Sequence, residues 1–298
     1  MEYSKKPGEY VEFEGQKIAS FPSANGDNVD DETVDSFGEE WLKFAAFESE
    51  EIQKIGDEYF DILPTDAWGK DKSALDVGCG SGRWTLYLKD KFGDIEAVDP
   101  SNAVWVAQKN TLNFSHIRVT KAGVDQLPFK NNSFDFVFSL GVLHHVPNTE
   151  TAMTKAVEKL KSGGYFLVYL YYSLDNRGLL YKILFHTSTI FRQIISNLPS
   201  LLKRILCDLI AIFVYIPLVA IANCFKAIGI KSWKKLPLSY YVGKSFFVIR
   251  NDSLDRFGTP LEQRFNKKQI HEMMKNSGLT DIQFSPQSPY WHAIGKKA

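Results

Sequence analysis

Apolar positions along this chain gather into short dense runs that alternate with polar turns and helix-period stretches. Ala74, Leu75 and Val77 end one run with the extended character of a buried parallel strand. A helix pattern follows at Trp84, Leu86, Tyr87 and Leu88. Further strand-like runs come at Ile95–Asp99, Phe134–Ser139 and Tyr165–Val168, the last prepared by a helix stop and tight turn at Lys161-Ser162-Gly163-Gly164. Much later, Asn266–Met274 reads as a capped helix with Ile270, Met273 and Met274 on one face. Gly278 stops it, and Thr280–Phe284 with Tyr290–Gly295 read as a closing hairpin. Strands in alternation with helices predict an α/β domain around a mostly parallel, doubly wound sheet.

The turn after the first of these strands carries the most chemistry. Asp76 is followed by Gly78, Gly80 and Gly82 at alternate positions, where backbone approaches a ligand with no Cβ in the way. The next helix then points its unpaired N–H groups into that turn. A dinucleotide fingerprint would place its third glycine at position 83, which is Arg83. Asp99 ends the next strand about 20 residues on, where this kind of fold sets a carboxylate against ribose hydroxyls. A short polar loop, Lys121-Ala122-Gly123-Val124-Asp125-Gln126-Leu127-Pro128, comes after it. Cys79 lies inside the glycine turn and reads as a small apolar filler.

In order and spacing these pieces resemble class I S-adenosylmethionine-dependent methyltransferases over residues 71–172 and 265–298. The resemblance implies a Rossmann-like, seven-stranded, mostly parallel sheet. It implies S-adenosylmethionine as donor, S-adenosylhomocysteine as product, and cofactor contacts from Asp76, Gly78, Gly80, Gly82, Asp99, Asp125, Ser139 and Leu140. In that family the acid of the polar loop, here Asp125, receives the adenine amino group. The resemblance covers cofactor and fold and leaves the acceptor open.

Between the Tyr165–Val168 strand and Asn266 the pattern departs from any such core. Leu179–Ile230 is strongly apolar and helical in character, with 14 unbroken apolar residues from Leu209 to Ala222. A bilayer-spanning helix needs about 20, and extending the run takes in Asp208 and Asn223 with Pro217 in the middle. Lys203 and Arg204 precede the run and Lys226, Lys231, Lys234 and Lys235 follow it. The net charge of zero therefore hides a polarity. Residues 1–60 hold 16 acids and 5 lysines or arginines, a net of −11, whereas residues 177–250 hold 11 lysines or arginines and only Asp208, a net of +10. Three roles stay open for the insertion: a helical cap on the catalytic core, a homodimer interface through 179–235, or peripheral contact with an anionic membrane.

The division expected is an acidic arm and lid helix over 1–70, a cofactor-binding core over 71–172, the apolar basic insertion over 173–256 and the end of the core over 257–298. Residues 1–32 read as a loosely structured arm, and the helix opening at Phe37 offers Trp41, Leu42 and Phe44 as an aromatic face. Cys79, Cys207 and Cys224 fit no metal or disulfide spacing, so no metal is expected, and the polar start reads without a signal peptide. A cytoplasmic location follows, with peripheral membrane contact as a variant.

Transfer of a methyl group needs a positioned acceptor, exclusion of water and often a base. His145, or its neighbour His144, lies just past the Phe134–Ser139 strand and titrates near neutrality. Phe37, Trp41, Tyr169, Tyr172 and Arg264 are the candidate acceptor contacts, with Tyr171 and Asp255 nearby in sequence. The stretch Asp255–Pro260 loosely resembles a loop that borders the acceptor pocket in related enzymes. The leading expectation is methyl transfer to a small-molecule or lipid-like acceptor under a helical lid. The alternatives are an RNA or protein acceptor, or a cofactor-binding protein without catalysis at a membrane. The acidic arm and the lack of aromatic stacking platforms weigh against nucleic acid.

Overall fold

The computed structural model describes residues 2–24, 26–43, 49–173, 178–289 and 291–298, with the side chains of 39–43, 49, 51, 180 and 181 also outside the description. Two compact units are present, Met1–Asp175 with Leu261–Ala298, and Asn176–Pro260.

The first unit is built on a sheet of nine strands in the order β1-β2-β5-β4-β3-β6-β7-β9-β8. An antiparallel hairpin, β1 (Glu9–Phe13) and β2 (Gln16–Phe21), opens the chain. Helices α1 (Asp31–Lys43) and α2 (Ser49–Tyr59) lead to β3 (Gly69–Val77), α3 (Arg83–Leu88), β4 (Phe92–Asp99) and α4 (Val104–Thr111). Then come β5 (Ile117–Ala122), β6 (Phe134–Leu140), α5 (Thr149–Glu158) and β7 (Leu160–Tyr169). Strands β5, β4, β3, β6 and β7 run parallel, and β9 joins β7 antiparallel. The central strands are buried on both faces, with Leu75, Phe136, Val137 and Phe166 fully enclosed.

The seven-stranded expectation, and with it the loosely structured arm, is corrected by the β1–β2 hairpin. Its turn, Glu14-Gly15, takes positive φ at both residues (49° and 77°), the geometry that suits a two-residue hairpin. Ile18, Ala19 and Phe21 are buried, and Ala19–Phe21 pair in parallel with Thr120–Ala122 at the outer edge of β5. Burial of β2 on both faces, Ile18 on one and Ala19 with Phe21 on the other, is what turns an acidic arm into two added strands.

In the second unit, α6 (Leu179–Ser196), α7 (Ser200–Ile210), α8 (Ile216–Ala227) and α9 (Phe246–Gly258) pack around Ile195, Cys207, Ala211, Tyr215, Ile249 and Phe257. A π-helical turn, Ala211–Tyr215, joins α7 to α8, so that Ser200–Ala227 runs on as 28 residues. The wider turn just before Pro217 accommodates a residue that lacks an N–H and crowds the preceding turn. Asp208 meets Arg250 through two hydrogen bonds of 2.5 and 2.6 Å, and Tyr215 donates to Asp252 at 3.0 Å. Asp255, Arg256 and Phe257 belong to α9 and Pro260 ends this unit, which corrects the reading of Asp255–Pro260 as a loop.

The first unit resumes with α10 (Lys267–Asn276), β8 (Leu279–Phe284) and β9 (His292–Lys297). Asn266 and Gln269 form a reciprocal capping box at the start of α10.

Candidate functional site

The carboxyl ends of the parallel strands bring most of the sequence-selected residues to one edge. Gly78, Gly80 and Gly82 all take positive φ (81°, 53° and 78°). At Gly78 space is limiting too, because a Cβ there would lie 2.4 Å from the Val142 side chain. Gly78 and Cys79 both donate to the Val98 carbonyl, at 2.7 and 3.0 Å, which sets the turn over the end of β4. Cys79 is buried and its thiol is pushed up by desolvation, as an apolar filler requires.

Three carboxylates stand at or just past the ends of β3, β4 and β5. Asp99 accepts from the Gly80 N–H at 2.9 Å and from the Ser101 N–H and hydroxyl at 2.8 and 2.6 Å. Its orientation is therefore set by the motif itself. Asp76 is 1% exposed and accepts from the Thr85 hydroxyl at 2.7 Å. Burial raises its pKa to about 7, against the lowering by Thr85 and with a further push from Asp99. Asp125 sits in a one-turn 3-10 helix past β5, where its Oδ2 accepts from the Asn28 N–H at 2.6 Å. Its Oδ1 is buried with no hydrogen-bond partner among the described residues.

The segment before α1 is fastened to this loop. Asn28 exchanges two 2.6 Å hydrogen bonds with the backbone of Asn148, and Gln126 donates to Asp27 at 2.7 Å. At Gly38 an added Cβ would be 3.1 Å from the Asn102 N, so α1 approaches the chain just past Asp99.

A second cluster lies past β6 and β7. Phe37 of α1 meets the His145 ring edge-on, with centroids 4.9 Å apart. His145 donates from Nδ1 to the Leu261 carbonyl at 2.7 Å, which leaves Nε2 as the unprotonated nitrogen of the neutral ring. His144 is wholly buried and stacks on Tyr171 at 3.9 Å, with neither ring nitrogen hydrogen-bonded among the described residues. Burial, then His145 and Arg264, hold its pKa well below the usual histidine value, so it stays neutral. Arg264 lies 4.9 Å from the Tyr171 ring centre and pairs with Glu262 at 2.8 Å. Burial alone would lower its pKa, and Glu262 more than offsets that.

Tyr169 reaches the cluster through Tyr171, at 5.9 Å, and Tyr172 through its carbonyl, which accepts from Arg264 at 3.3 Å. Leu140 is buried at the end of β6, and the Ser139 hydroxyl donates to the Val77 carbonyl at 2.8 Å. The Trp41 side chain lies outside the described residues. Asn28, Thr85 and Glu262 were not singled out from the sequence. The Gly26-Asp27-Asn28 run before a helix marks an ordered turn, and the acid two residues before Arg264 marks its partner.

An adenosyl group needs an acceptor for its amino group and a carboxylate for its ribose diol. The unpartnered Asp125 Oδ1 and the oriented Asp99 carboxylate fit both needs.

Residues 75–168 match the family model described as a methyltransferase domain. The demethylmenaquinone methyltransferase of Bacillus licheniformis is 35% identical over 99 residues, 32% of this chain and 43% of that protein. The protein of the same name from Staphylococcus aureus is 33% identical over 99 residues, 32% of this chain and 41% of that protein. The match thus spans less than half the length of these curated relatives. Among solved structures, YcgJ of Bacillus subtilis aligns with TM-score 0.47 at 15% identity, covering 80% of this chain and 70% of that one.

Proposed function

Residues 75–168 are a methyltransferase domain of the class I S-adenosylmethionine-dependent family, and from that premise we propose that this protein methylates a small, lipid-like acceptor. Bound S-adenosylmethionine supplies a methyl group on a sulfonium, open to in-line displacement. Asp99 holds the ribose diol, Asp125 the adenine amino group, and the glycine turn admits the rest of the cofactor against backbone. The observation that carries the donor assignment is the buried, unpartnered Oδ1 of Asp125.

In this reading His145 takes the acceptor proton on Nε2, while its Nδ1–H stays on the Leu261 carbonyl. His144 is a neutral packing surface, and Arg264 orients a polar group of the acceptor. Phe37, on α1, covers His145. That helix serves as a lid beside the acceptor, and transfer also depends on the inserted helical unit. The name shared by the curated relatives supports a small-molecule acceptor.

Titration calorimetry of S-adenosylmethionine with the wild type and Asp125→Ala tests the donor assignment. The variant should bind more weakly by about 1–3 kcal/mol. Equal affinities would remove Asp125 from the cofactor site.

A further inference from the structure

The Asn176–Pro260 unit holds 19 of the 22 large hydrophobic side chains that are exposed among the described residues, in under a third of the chain. Exposed apolar side chains gathered on that scale mark an interaction site. We propose that this unit is a docking module for an anionic lipid surface, with the Ser200–Ala227 helix lying in the plane of the interface. The inference is independent of the methyl-transfer reading.

The helix has two distinct sides. Cys207, Ala211 and Tyr215, each four residues apart, are buried in the core of the unit with Ile249 and Phe257 of α9. Leu201, Ile205, Ile212, Phe213 and Ile216 are exposed, Phe213 at 70%. Only 22% of the most apolar window of this helix is buried. At about 1.5 Å per residue it offers an apolar edge of about 42 Å.

Length and composition alone would let this helix cross a bilayer, but its packed side argues for lying flat. That side carries the Asp208–Arg250 pair and the Tyr215–Asp252 hydrogen bond. Crossing would draw Arg250 and Asp252 into hydrocarbon, which is costly. An in-plane helix keeps them on the aqueous side and sinks the opposite face.

Charge selects the kind of surface. Residues 177–250 carry 11 lysines and arginines against the single acid Asp208, which Arg250 engages. Lys231, Lys234 and Lys235 are exposed just past the helix, and Trp233 lies between Lys226 and Lys234, at 5.3 and 6.0 Å from their ammonium groups. Lysines and an indole at the border of an apolar face match the headgroup layer of an anionic bilayer. A second copy of this chain would bring the same positive charge onto itself.

The test is sedimentation of the full-length protein, without methyl donor, with phosphatidylcholine vesicles and with equimolar phosphatidylcholine–phosphatidylglycerol vesicles. Binding to the anionic vesicles alone, weakened by added salt, is the expected result. Combined K231Q, K234Q and K235Q should weaken it about a hundredfold, at about fivefold per lysine. Phe213→Glu, at an exposed position, should abolish vesicle binding and leave the unfolding midpoint unchanged. Equal binding to both vesicle types, no binding to either, or full binding by Phe213→Glu would overturn the proposal. So would a dimer that Phe213→Glu converts to monomer, since that assigns the face to a second copy.

Discussion

Substitution of Asp76 by asparagine should make the protein more stable above neutral pH, although Asp76 sits at the heart of the glycine motif. Asp76 is 1% exposed, and burial raises its pKa from 3.8 to about 7. Below pH 4 the carboxyl is protonated in folded and unfolded chains alike and costs nothing. Between pH 4 and 7 the unfolded chain releases the proton and the folded chain keeps it, so stability falls as pH rises. A shift of about three units is worth about 4 kcal/mol, more than half of which falls between pH 5 and 8. Asparagine keeps an oxygen to accept from Thr85 and carries no charge to desolvate. Urea unfolding of both proteins at several pH values isolates the effect, because groups that are not coupled to Asp76 cancel in the difference. The stability of Asp76→Asn minus that of the wild type should grow by about 3 kcal/mol from pH 5 to 8. A pH-independent difference over this range would refute the burial argument, since a carboxylate stabilised in place is ionised in both states there.

Three further outcomes are expected. Gly78→Ala adds a Cβ 2.4 Å from Val142 at a φ of 81°, so it should destabilise the fold by about 1–3 kcal/mol. Val142→Ala in the same chain should restore part of that loss, because it removes the two nearest atoms and leaves the Val142 Cβ at 2.8 Å and the strained φ; thermal unfolding of both variants checks this. His145→Ala should lower kcat by about a hundredfold or more while donor affinity is retained, and an unchanged kcat would remove His145 as the base. Excision of the inserted unit behind a short linker is feasible because Ser173 donates to the Phe265 carbonyl at 3.0 Å, so the flanking ends already meet. The shortened protein should keep donor affinity and lose transfer; retained turnover would separate the insertion from acceptor handling.

How far the sequence spoke depended on how local each signal was. The glycine turn, Asp99 and the Asn266 cap were readable because each rests on residues within a few positions of one another. The β1–β2 hairpin was not, although Val11, Phe13 and Ile18 alternate with charged residues around Glu14-Gly15. The eight acids of residues 1–32 spoke louder than its short alternation, and its anchor is β5, about a hundred residues away. Pro217 counts in the sequence against one long spanning helix, yet a preceding π turn carries the helix through it. Tyr171, Glu262 and the Leu261 carbonyl join His144 and His145 only when residues 261–265 return beside β7, which no local pattern records.

The most direct test of the central claim incubates the purified protein with methyl-labelled S-adenosylmethionine and a total cell extract, followed by separation into solvent and aqueous phases. Transfer of label to a solvent-soluble product, lost in the His145→Ala variant, is the expected result. Firm binding of the donor with no label moved to any acceptor would contradict it.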